Sequence, residues 1–242
     1  MGRRVKICGI VPWAFYLILG IILAPVLSLT PLLKYLGWIF TSIIHEGGHT
    51  FYALFVGCPA FPRISLLGAA ATTHHQQYPF LCIIIFCCMG YGLYKIWSYP
   101  FWRYLLIVLL VFYPFLVINS HLKEWGHLLS GHLGELLIAG IFIWRAVTGI
   151  STGGEVDRAA YGAMGWYLII HNAYLCYGIA YIPSVRTWYQ NNSSYGLVND
   201  YIRAAASMGV NIKVVVLSML AVSIAVAPVA IMLAKLGDDI DG

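Results

Sequence analysis

His45, Glu46 and His49 lie in "IIHEGGHTFYA", residues 43–53. On a helix, side chains four residues apart leave the same face about one turn from each other, so both imidazoles can reach one ion. That is the spacing a zinc ion needs for two nitrogen ligands, with Glu46 beside them to move protons. The plain alternative is that the histidines hydrogen-bond across helices and the glutamate pairs with one of them. Yet the stretch otherwise reads as a membrane-spanning helix, where ionisable groups are costly and mark functional sites. Three such groups in one turn are hard to satisfy there without a cation.

The elements that must position them follow from composition. The chain has 242 residues, 61% hydrophobic and 10% charged, with a mean hydropathy of +0.82. Soluble domains carry about 25% charged residues, so an integral membrane protein is expected. At ~20 apolar residues per span the length suits a single transmembrane domain over residues 1–242. The expected fold is an all-α polytopic bundle of six or seven transmembrane helices. The apolar runs place spans near 8–29, 36–56, 79–98, 101–118, 128–148, 162–182 and 210–235.

The first span is too long and too poorly ended for a cleaved signal peptide, and reads as a retained anchor. Arg3, Arg4 and Lys6 precede it and put the amino terminus in the cytoplasm, as in a multi-pass protein of a bacterial inner membrane. The net charge of +5 is scattered over span ends, which speaks for topology and against nucleic-acid binding. Cys8, Cys58, Cys82, Cys87, Cys88 and Cys176 form no C-x-x-C pair and read as small buried hydrophobes. Residues 57–78 are too broken by Pro and Gly for a helix. The run "PRISLLGAAATT" in them predicts a short hairpin that dips toward the site. Residues 183–209 read as a polar loop on the cytoplasmic face.

"HEGGHTFYA" resembles the site-2 protease family of intramembrane zinc metalloproteases, fitting its H-E-x-x-H-x-x-x-A pattern through Ala53. The "LFVGCPAFPRISLLGAA" that follows adds a glycine and a hairpin, as is common in that family, and the likeness covers roughly residues 36–72. The resemblance implies that His45 and His49 bind zinc, and the expected topology puts them in the cytoplasmic half of the bundle. The resemblance also implies that Glu46 is the general base and that a membrane-embedded or membrane-proximal peptide is hydrolysed. The chemistry agrees: zinc lowers the pKa of bound water to near 7, and an adjacent carboxylate can shuttle the proton. Gly47 and Gly48 either admit an extended substrate or let helices pack closely.

The family takes its third ligand from an Asp-Gly pattern in a later span, and this chain has none inside a span. Asp157, Asp200, Asp238, Asp239 and Asp241 fall in expected loops or at the tail. The ligand is therefore sought in "NSHLKEWGHLLSGHLGELLIAG", residues 119–140. At 1.5 Å per residue, Glu135 lies ~10 Å into its span, a depth matching His49. Glu135 is the expected third ligand and His132 the alternative. Glu124 and His127 sit nearer the interface, as partners that orient a ligand. His74, His75 and His171 read as solvated or core histidines.

Two other classes remain open. The chain holds eight histidines, as membrane di-iron oxygenases do, but "TTHHQQ" is not the H-x-x-H-H their boxes require. The missing Asp-Gly pattern also fits a non-catalytic subunit of a larger membrane assembly. Expected partners are membrane lipids, a membrane-embedded peptide or protein substrate and other membrane subunits, with no nucleic acid.

Overall fold

The computed structural model describes residues 11–65, 69–74, 76–191 and 199–240. The basic cluster at Arg3, Arg4 and Lys6, the hairpin turn at 66–68 and His75 lie outside these residues. The chain runs α1 (Pro12–Leu23), a 3-10 turn (Ala24–Ser28), α2 (Pro31–Phe55), β1 (Ala60–Ser65) and β2 (Ala69–His74). It continues through α3 (Pro79–Lys95), α4 (Pro100–Ile118), α5 (Ser120–Thr148), α6 (Glu155–Tyr181), α7 (Pro183–Asn191), α8 (Asp200–Met208) and α9 (Ile212–Ile240).

Local sequence explains most boundaries. Proline fixes φ and lacks an N–H that a first helical turn would leave unpaired, and it opens α1, α2, α3, α4 and α7. Thr30 caps α2 by accepting from the Leu33 amide at 3.2 Å, and Asn119 caps α5 by accepting from Leu122 at 3.1 Å. Gly149 and Gly209, at φ 71° and 66°, end α5 and α8 in the left-handed conformation that glycine adopts without strain.

Each expected span overlaps a helix among the described residues. Among the described residues two helices, α5 and α9, are each long and apolar enough to cross a membrane. The number rises to four if Pro12–Val26 with α2, and α6 with α7, are each one bent span. Within the run near 8–29, α1 covers 12 residues and gives way to the 3-10 turn that holds Pro25. Residues 183–209 are not a plain loop, since α7 and α8 form within them.

α5 is the central element, packed on α2, α6 and α9, while α1 packs on α6. Two apolar clusters flank it: one joins Leu128, Cys176, Tyr201 and Val216, and the other joins Leu17, Ile143, Leu168 and Ala230. The α2–α5 contact is closest where glycines meet. A Cβ on Gly48 would lie 2.3 Å from the Ser130 carbonyl oxygen, and one on Gly134 would lie 2.8 Å from the Gly48 Cα. Side chains are excluded there so that the backbones can touch. Gly37, Thr41, Ser42, Glu46, His49 and Ala53 form the buried stripe of α2, a polar one turned on α5 and the hairpin. The hairpin forms as expected, antiparallel from Ala60 opposite His74 to Ser65 opposite Ala69.

Candidate metal centre

His45 and His49 project from α2 toward α5 and α8. His45 Nε2 and His49 Nε2 are 3.1 Å apart, and Asp200 Oδ2 lies 3.1 Å from the first and 3.0 Å from the second. Asp200 opens α8, and its neighbour Tyr201, fully buried, anchors that helix against the bundle. The expectation that Asp200 stands apart in a loop is thereby corrected.

The other nitrogen of each ring is already committed. His45 Nδ1 donates to Glu135 Oε1 at 2.7 Å, and His49 Nδ1 donates to the His127 carbonyl at 2.7 Å. A neutral imidazole that donates at Nδ1 presents a lone pair at Nε2. Two lone pairs and a carboxylate oxygen within 3.1 Å of one another repel unless positive charge sits among them. Without a metal, protons on the rings must do that work. Burial alone would push the Asp200 carboxyl up, but hydrogen bonds from His45 and His49 outweigh it and hold the group well below the usual carboxylate range.

The donor set could hold a divalent metal ion, and its spacing can be set against that of zinc. Ligands about 2.0–2.1 Å from a tetrahedral zinc lie ~3.3 Å from one another, near the spacing of these three atoms. Gly131 supplies a second sign of fit. A Cβ there would come within 2.5 Å of His45 Nε2 and of His49 Nε2, so only glycine leaves room beside the converging nitrogens. Gly131→Ala is therefore expected to keep the helices, since alanine favours helix over glycine by about 1 kcal/mol. It should nevertheless displace the rings and sharply lower zinc content, as read by elemental analysis beside a thermal melt. Wild-type zinc content in that variant would mean that the nitrogens do not face the metal.

Glu135 is in the site, but against the far nitrogen of His45 rather than as a third corner with both Nε2 atoms. Asn172, fully buried on α6, donates to Glu135 Oε2 and accepts from His132 Nδ1 at 3.1 Å. His132 stands edge-on to His45, with ring centroids 4.5 Å apart, and stacks on Tyr201 at 4.2 Å. His45, His132 and Glu135 form another cluster of potential ligands, but it shares His45 with the first. Its 2.7 Å nitrogen–oxygen contact is a hydrogen-bond distance.

The remaining expected residues divide. His127 acts through its backbone carbonyl, its ring tilted beside His49 at 5.1 Å. Glu124 is exposed. Gly48 serves helix packing, whereas a Cβ on Gly47 would meet nothing within 4 Å. His171 is exposed and stacked on Tyr167. Glu46 is 5% exposed, and the Thr72 hydroxyl of β2 donates to its Oε2 at 2.7 Å, so the hairpin does reach the site.

Sequence reasoning missed Asp200, Asn172, Gly131 and Thr72. One signal for Asp200 was available: Asn199-Asp200 before the short amphipathic run "YIRAAASM" is a helix start. No protein-family model matches the chain, and no curated protein or solved structure matches it either.

Proposed function

We propose that this chain is an intramembrane zinc metalloprotease, with His45, His49 and Asp200 as ligands and Glu46 as the acid–base residue. The observation that carries the reading is the meeting of three ligand atoms within 3.1 Å while both Nδ1 atoms are held by acceptors. A long helix that carries H-E-x-x-H, next to helices apolar enough to cross a membrane, supports a substrate at or within the bilayer.

Bound zinc would polarise a water and the scissile carbonyl. Glu46 takes the proton of the attacking water as the new C–O bond forms, then gives it to the amide nitrogen as the C–N bond breaks. Glu135 and the His127 carbonyl hold the two rings in the tautomer that leaves each Nε2 free to ligate. Asn172 holds Glu135 in turn. The open side of Gly47 gives an extended peptide space beside the catalytic turn.

The di-iron alternative needs a second independent set of ligands. Among the described residues the second cluster shares His45, which leaves one mononuclear centre as the simpler assignment. The test is cleavage of a membrane-embedded peptide by the purified protein in bilayer discs, with and without a zinc chelator. Chelator-sensitive cleavage is expected. Loss of metal without loss of cleavage would remove the metalloprotease reading, and a chain that neither binds zinc nor cleaves would fit the non-catalytic subunit.

A further inference from the structure

Glu46 has three rotatable side-chain bonds, yet a proton-transferring carboxylate must be held in one place. The structure offers one means. The Thr72 hydroxyl lies 2.7 Å from Glu46 Oε2 and 3.1 Å from the Glu46 backbone carbonyl oxygen. A hydroxyl has a single proton, and the nearer, charged oxygen takes it. One oxygen that touches both the carboxylate and the main chain of the same residue fixes how the side chain curls back on α2. Thr72 lies in "AAATTH", paired opposite Pro62, so a strand that is otherwise largely alanine brings a hydroxyl to a buried carboxylate.

We propose that Thr72 is a positioning residue that clamps Glu46 and, through the same bond, ties the hairpin to α2. The inference rests on the protease reading for its kinetic consequence, but the tie itself is independent of it. The hairpin is then not a passive connection. Its docking sets the general base, and a hairpin lifted from α2 leaves Glu46 free to turn away from the reacting water.

The test compares wild type with Thr72→Val, Thr72→Ser and Glu46→Ala in bilayer discs. Valine keeps the shape and strand preference of threonine without the hydroxyl. Thr72→Val is expected to lower kcat about tenfold or more, with KM within about twofold and zinc content unchanged, as for partners that orient a reacting group. Thr72→Ser should restore kcat. Amide hydrogen exchange over 69–74 should quicken about tenfold in both Thr72→Val and Glu46→Ala, the loss of one hydrogen bond to a charged group. Unchanged exchange in both variants would overturn the tie, and wild-type kcat in Thr72→Val would overturn the positioning role. If the wild type cleaves nothing while exchange quickens in both variants, the protease reading fails and the tie stands.

Discussion

Replacing Glu46 by Gln is expected to all but stop peptide cleavage while the zinc content stays at the wild-type level. Glutamine keeps the size of the side chain and an oxygen to accept from Thr72, so the hairpin contact at 2.7 Å has a substitute. What it lacks is a lone pair basic enough to take a proton from water. Positioned acid–base groups contribute ~10²–10⁴ in rate, so turnover should fall by at least about a hundredfold. Zinc should stay, because the converging atoms belong to His45, His49 and Asp200. Elemental analysis of the same preparation used for kinetics checks both halves at once. Full activity in this variant would take Glu46 out of the reaction, and lost zinc would make it a ligand instead.

Asp200→Asn is expected to weaken zinc binding far more than Glu135→Gln. Both substitutions exchange a carboxylate for an amide of the same shape, so packing is kept and charge is tested. Asp200 Oδ2 faces both Nε2 atoms, at 3.1 and 3.0 Å, whereas Glu135 Oε1 meets His45 at Nδ1, at 2.7 Å. Groups that orient a metal-binding histidine are typically worth about 10–100-fold in affinity, the range expected for Glu135→Gln. A lost ligand should cost more than the upper end of that range. Competition with a chromophoric chelator gives the two constants. The reverse order would put Glu135 on the metal and reduce Asp200 to a neighbour.

The contrast between these two carboxylates shows what the sequence made legible. His45, Glu46 and His49 could be read because a local rule, that residues four apart share a helix face, brings the two rings together before any tertiary contact forms. Glu135 was placed near them by a depth argument along one helix, and it does touch His45. Depth along a helix does not say which ring nitrogen a side chain meets, so its relation to the two Nε2 atoms stayed hidden. Asp200 lies 151 residues from His49 and is delivered by a nine-residue helix held through Tyr201. Nothing local in that stretch marks it as part of the α2 site.

The same division runs through the fold. The hairpin was legible from proline and glycine that break a helix. Its grip on Glu46 through Thr72 was not, since a lone threonine in a strand carries no signal of its partner. Apolar runs placed the helices, but α1 gives way to a 3-10 turn at Pro25 where hydropathy alone extends it. Gly48 was read as either substrate space or helix packing, and Gly131 carried no signal in the sequence. In the structure one allows two backbones to touch and the other leaves room beside the imidazoles.

The most direct test of the metal centre is the zinc content of the purified wild-type protein beside a His45→Ala, His49→Ala double variant, both reconstituted with zinc and washed. X-ray absorption of the wild type gives the ligand atoms. The expected result is a single zinc per wild-type chain, bound by two imidazole nitrogens and carboxylate oxygen, and none in the double variant. A wild type that takes up no metal, or a double variant that retains it, would contradict the centre proposed here.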